Sequence, residues 1–232
     1  MHLHQPVVWV DLDETLITST DRPSSGSVKL GTGKWAVLRP GARECLAALR
    51  HIGNVRLLTF APIRYAAAAC ERFGLGFAGS DTFGHEMWTS FLAEQPSLGR
   101  PDDVLVEDDE SHYVLAKCRF IGISPRRVVL VRAYRGGADD ELAAVPVRAL
   151  EALVGDVAGQ VVSVLLDRGF SRDSILQFFT TPSDELVLDD AVDDLPDVHD
   201  GETPLALLRR YGTAGVPRVL RHAQRFGEQG AT

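Results

Sequence analysis

Cysteine is scarce in this 232-residue chain: Cys45, Cys70 and Cys118 are the only three. They are widely spaced, each lies in an apolar stretch, and no CxxC pair occurs, which argues against a disulfide framework and for buried thiols. The seven histidines are scattered and add no zinc-ligand spacing. Long apolar runs are missing as well. None approaches the ~18 residues of a membrane span, and Met1–Pro6 lacks the basic start and apolar stretch of a signal peptide, so the expected location is cytoplasmic, with no membrane contact. Basic residues are outnumbered, 24 Lys and Arg against 32 Asp and Glu. The resulting net charge of −8 repels polyanions and argues against non-specific nucleic-acid binding. What remains is 45% hydrophobic and 24% charged, an ordinary globular composition able to bury a core.

Strand and helix signals alternate through the first two thirds of the chain. "VVWV" (7–10) is apolar throughout, as in a strand buried on both faces of a parallel sheet. Residues 19–33, rich in Ser, Thr and Gly, read as a loop or small flap before a short extended "KWAVL". Cys45, Leu46, Leu49 and Ile52 recur at helical spacing, and "VRLLTF" follows as a second strand. A helix over about 63–73 stops at Gly74, and residues 80–103 read mainly as loop. A third strand in "DVLVEDDES", a helix in "HYVLAKCRFIGI", a fourth strand in "RRVVLV" and a helix containing Pro146 complete the pattern. The predicted fold class is α/β, a Rossmann-like doubly wound parallel sheet over residues 1–156. Beyond it, 157–232 reads as a small helical C-terminal appendage: two helices split at Gly169 with Ser171 as N-cap, then nine acids between Asp184 and Glu202, then arginine-bearing helices.

Ligands of a parallel sheet bind outside the carboxyl ends of its strands, where distant residues converge. The first strand delivers Asp11, Asp13 and Thr15 there, the second Thr59, and the third Asp108 and Asp109. Carboxylates gathered in one crevice repel one another unless a cation lies between them, and magnesium, which takes only oxygen ligands, fits such a set. An aspartate beside that ion can attack phosphorus and form an acyl phosphate; Asp11 is the candidate nucleophile. Asp13 is the candidate acid/base, and Thr59 can donate to a phosphoryl oxygen. Arg39 reads as an anchor for the Arg39-Pro40-Gly41 turn, while His85, Trp88 and Phe91 read as packing near the crevice entrance.

These residues carry a family resemblance. "DLDETLI" (11–17) resembles the first motif of haloacid dehalogenase (HAD) superfamily phosphotransferases, most closely the branch that includes phosphatases of the RNA polymerase carboxy-terminal domain. "LRPGARECLAALRHIGNVRLLTFAPIRYAAAACERFGL", "LGRPDDVLVEDDESHY" and "VRAYRGGADDELAAVPVRALEAL" are similar to later stretches of that branch, so the resemblance spans about residues 6–155. It implies a HAD-like phosphatase with Asp11 as nucleophile and metal ligand and Asp13 as acid/base. It also implies Thr15 and Thr59 toward the phosphate, and magnesium on Asp11, Asp13 and one or other of Asp108 and Asp109.

The resemblance also implies a lysine shortly before "LGR", but none occurs between Phe83 and Val106; Ala93 stands near the place. Arg100 is the cation of that interval and takes the expected role, with Lys34 and Lys117 as candidates from outside it. Two expectations follow. One is a magnesium-dependent phosphomonoester hydrolase acting on a macromolecular or small phosphorylated substrate, an open cleft with a small insert favouring the macromolecule. The other is a catalytically impaired module that binds a protein partner, or itself, through 157–232.

Overall fold

The computed structural model describes residues 5–30, 33–87, 98–109, 112–186 and 201–226. The chain divides into two compact units, one covering Gln5–Leu153 and the other running from Val154 onward.

The first unit is built on a five-stranded parallel sheet. Its strands are β1 (Val7–Val10), β5 (Asn54–Leu58), β6 (Thr82–Phe83), β7 (Val104–Glu107) and β8 (Val128–Leu130), in the spatial order β6-β5-β1-β7-β8. β1 is central because all four of its side chains are apolar and can be covered on both faces; each is buried. Register aligns Val10 with Leu57 on one side and Val106 on the other, so three strands end at one level. The edge strand β6 lies inside the stretch read as loop. Two residues are too few to show a period, and Thr82 belongs to no apolar run.

Between the strands run α1 (Ala42–Ile52), α2 (Ile63–Phe73), α3 (His112–Ile121) and α4 (Val145–Val154). The buried face of α1 is Ala42, Cys45, Leu46, Leu49 and Ile52. α2 ends on Gly74 at φ 61, where a residue without Cβ is least strained. Glu141–Ala144 forms a 3-10 turn leading into α4, with Pro146 in the first helical turn, where its missing N–H costs nothing. The flap after β1 is more regular than its composition indicates: β2 (Ile17–Thr20), β3 (Val28–Lys29) and β4 (Trp35–Leu38) form a small antiparallel sheet in the order β2-β4-β3. All three cysteines are buried and unpaired.

One buried carboxylate ties β1 to the start of β7. Asp103 accepts from the Val7 amide at 2.9 Å, from Trp9 Nε1 at 3.1 Å and from the Arg100 amide at 3.0 Å. Gly99 lies against this cluster; a Cβ there would sit 2.6 Å from Asp103 Oδ2 and from the Ile121 carbonyl. Asp103→Ala would strip three donors of their acceptor at once. At ~1–3 kcal/mol for an unsatisfied buried group, we expect a loss of about 3 kcal/mol or more in denaturant unfolding.

The second unit contains α5 (Asp156–Asp167), α6 (Arg172–Thr180), α7 (Pro204–Tyr211) and α8 (Val216–Arg225). Ser171 caps α6 by accepting from the Ser174 amide, and Thr203 caps α7 by accepting from the Ala206 amide. Ile175, Phe178, Phe179, Leu207 and Val219 supply its core. No helix among the described residues is long and apolar enough to cross a membrane.

Candidate active site

At the level where β1, β5 and β7 end, a cavity of about 700 Å³ opens, lined among others by Asp11, Asp13, Thr59, Asp108 and Lys117. Asp11 is the first residue past β1; its amide donates to the Val106 carbonyl at 2.9 Å and continues the ladder by one step. The chain then turns sharply. Glu14 adopts φ 64, a left-handed conformation that L side chains rarely take, and its carbonyl accepts from the Tyr134 amide at 2.7 Å. Arg135, which also lines the cavity, pairs with the Glu14 carboxylate.

Asp11, Glu107 and Asp108 bring one carboxylate oxygen each within 4.8 Å of one another. Asp13 and Asp109 line the same cavity outside that trio. Of the pair Asp108 and Asp109, Asp108 is the one in the trio, and Glu107, the last residue of β7, joins it there.

The cation beside Asp11 is Lys117, not Arg100. Lys117 Nζ lies 2.5 Å from Asp11 Oδ1 and also contacts Glu107 Oε2. Arg100 is exposed, precedes the amino end of β7 and does not line the cavity, so it stands at the wrong end of a strand whose carboxyl end holds the site. Lys34 is likewise exposed and off the cavity. Ala93, Trp88 and Phe91 lie outside the described residues, whereas His85 lines the cavity.

Lys117 was legible in principle. On α3, Val114, Lys117, Cys118 and Ile121 share the i, i+3, i+4, i+7 stripe, and all four are buried. A lysine inside an apolar stripe needs a carboxylate partner, and the acid-terminated strand that precedes α3 supplies one in Glu107.

The two threonines differ in role. Thr59 lines the cavity at the end of β5, with its Oγ1 accepting from the Ala61 amide at 3.0 Å; α2 starts later, with Pro62 at its N-cap, so Thr59 is not the helix cap. Thr15 is fully buried and its hydroxyl donates to Asp108 Oδ1 at 2.9 Å. It orients a carboxylate and does not line the cavity, which corrects its assignment to the substrate.

Burial pushes every acid of the cluster upward. Asp11 rises despite the opposing pull of Lys117. Glu107 rises to about 8 through burial and the Asp11 charge. Asp108 and Asp13 each rise to about 6, burial again leading, with Tyr65 Oη donating to Asp13 Oδ1 at 2.7 Å and opposing the rise. For Lys117 burial lowers the value, but Asp11 and Glu107 outweigh it and the ammonium form is held. One ammonium among so many acids leaves excess negative charge confined in a largely buried crevice. Oxygen donors in that state fit a hard divalent cation such as magnesium. Because the ion competes with protons on carboxylates whose folded values are raised, magnesium affinity should fall as pH drops from 7 through about 6. Titration calorimetry at pH 7.5 and 5.5 measures it; equal affinities would place the ion elsewhere.

Comparison with family models and with curated proteins gives no match. Among solved structures the chain is similar to the fission yeast RNA polymerase II CTD phosphatase Fcp1 bound to beryllium fluoride. The identity is 17%, the TM-score 0.41, and 75% of this chain and 60% of that one are covered. It is also similar to a second structure of Fcp1, described as an essential RNA polymerase II CTD phosphatase, at 19% identity and TM-score 0.42, covering 74% of this chain and 56% of that one. The chain thus spans less than two thirds of either neighbour.

Proposed function

We propose that the chain is a magnesium-dependent phosphomonoester hydrolase working through an aspartyl-phosphate on Asp11. The observation that carries this is the convergence of Asp11, Asp13, Thr59 and Lys117 on one cavity at the carboxyl ends of adjacent parallel strands. The trio of Asp11, Glu107 and Asp108 would hold the ion. When bound, it supplies positive charge to the phosphoryl oxygens.

Asp11 attacks phosphorus, the ester P–O bond breaks, and its electron pair leaves on the substrate oxygen. The Asp13 carboxyl gives that oxygen its proton, releasing the alcohol. With a value raised to about 6, Asp13 keeps a proton nearer to neutrality than an ordinary aspartate, and Tyr65 fixes its orientation through Oδ1. The Asp13 carboxylate then takes a proton from water, whose oxygen attacks phosphorus and releases inorganic phosphate, restoring both aspartates. Lys117 balances the Asp11 carboxylate before attack and the phosphoryl charge during it, and Thr59 is placed to donate to a phosphoryl oxygen. With Lys117 at the nucleophile, the lack of a lysine between Phe83 and Val106 no longer argues for a silent module. Strands of four, two and four residues make a small insert after the Asp11 loop, which favours a phosphorylated macromolecule as substrate.

The test is release of inorganic phosphate from a phosphomonoester panel of aryl, sugar, nucleotide and phosphopeptide members, with and without magnesium. We expect magnesium-dependent turnover on at least one class. No turnover from protein that binds magnesium normally overturns the proposal.

A further inference from the structure

We infer that Arg39 and Asp139 form a positioning brace for the loop that carries the nucleophile: the guanidinium, clamped by Asp139, holds the Thr15 carbonyl and thereby aims the Thr15 hydroxyl at Asp108. The inference rests on the proposed reading of the site for its catalytic consequence, but its geometry stands without that reading.

Arg39 is wholly buried yet does not line the cavity. Its Nε donates to Asp139 Oδ1 and its Nη2 to Asp139 Oδ2, both at 3.1 Å, a two-point clamp between residues a hundred positions apart. The remaining arm, Nη1, donates to the Thr15 carbonyl at 3.2 Å, and the Arg39 amide donates to the Leu16 carbonyl at 2.9 Å. Two successive carbonyls of the loop are therefore held by one residue. From the other side the Tyr134 amide holds the Glu14 carbonyl, and the Tyr134 ring lies 5.5 Å from the Arg39 guanidinium.

This loop needs holding. Glu14 sits in a left-handed conformation that an L residue leaves unless its surroundings prevent it. Thr15 stands between that strained residue and Asp108, whose Oδ1 it meets at 2.9 Å. A buried ion pair gives little net stability relative to apolar packing, so the directed bonds distinguish this one. A lysine could not serve, because a point ammonium cannot grip a carboxylate at two points and reach a third acceptor in the same plane. Asp139 is itself fixed, its Oδ1 accepting from the Glu141 amide at 2.9 Å.

The test uses Asp139→Asn, which keeps Oδ1 but turns an N–H toward Nη2, alongside Arg39→Lys and Thr15→Val. Three quantities are read on the full chain: magnesium affinity by calorimetry, kcat and KM separately, and hydrogen exchange of residues 11–18. Partners that orient metal ligands typically carry about 10–100-fold in affinity or activity. We expect Asp139→Asn to unfold cooperatively, to weaken magnesium binding and lower kcat by about tenfold or more, to change KM little, and to speed exchange over 11–18 but not over β5. We also expect Asp139→Asn/Thr15→Val to be no worse than its more severe single variant, since both break one chain of contacts. Arg39→Lys should behave like Asp139→Asn; if it fails to fold, Asp139→Asn decides. Wild-type magnesium affinity together with wild-type exchange over 11–18 in folded Asp139→Asn overturns the brace. Absence of turnover in the wild type would overturn the phosphatase reading alone, because exchange and metal affinity still read the brace.

Discussion

Asp11→Asn is expected to lower kcat by about 10⁴-fold or more while leaving the fold intact. The amide presents no anionic oxygen to phosphorus, so no acyl phosphate can form. Stability should not suffer, because burial already opposes the Asp11 charge. The amide oxygen can still accept from Lys117, and Lys117 keeps its Glu107 partner. The comparison with Asp13→Asn sharpens the assignment. Without a proton donor, an aryl phosphate with a good leaving group can still phosphorylate Asp11, but the intermediate lacks a base to activate water. Acid-quenched protein should thus trap labelled phosphate in Asp13→Asn and none in Asp11→Asn. Turnover above about one hundredth of wild type in Asp11→Asn, or label in both variants, would remove Asp11 from the nucleophile's place.

That Asp11 and Asp13 could be placed at the carboxyl end of a strand follows from how parallel sheets are written in sequence. β1 is an unbroken apolar run and β7 is apolar up to its last residue because both their faces are covered, and the loop residues just past such a run lie at the strand's carboxyl end. Asp11, Thr59 and Asp108 were legible on that basis. Glu107 was not. It ends β7 itself, and an acid within a strand reads as the start of the loop until the register with Leu130 shows that the strand includes it. β6 and the strands β2 and β3 were hidden for a different reason: strands of two to four residues with few apolar neighbours are defined by their partners, not by their own pattern, whereas β4 lies in the extended "KWAVL".

Lys117 ranked behind Arg100 because motif spacing points upstream of β7, whereas the ammonium comes from the helix downstream of it. What the site requires is a charge at one point in space, and any element reaching that point can provide it. Arg39 illustrates the converse. Its turn-anchoring role was legible from Arg-Pro-Gly, but its partner Asp139 lies a hundred positions away, and no local pattern joins the two.

Lys117→Met should show the second large effect, on activity and stability together. Removing one preorganised charge that meets the transferring phosphoryl group costs about 10²–10³-fold in kcat. It also leaves Asp11 and Glu107 buried side by side with no counter-ion, a break worth ~3–5 kcal/mol at neutral pH without divalent metal. The sign of the pH dependence follows from the raised values of both acids. In the variant the folded state binds protons that the unfolded chain has already released, so stability rises as pH falls through the elevated range, which for Glu107 is about 8 even with Lys117 present. Denaturant unfolding at pH 8.5 and 6 in a chelator should therefore show the deficit shrinking on acidification. Lys117→Met/Glu107→Gln should recover much of the stability and none of the activity, which separates the lysine's structural role from its chemical one. Lys117→Arg should not rescue turnover, since a planar fork does not fit a slot made for an ammonium that is only 2% exposed. Wild-type kcat in Lys117→Met would transfer the charge-balancing role to Arg135, the other strongly basic side chain lining the cavity among the described residues.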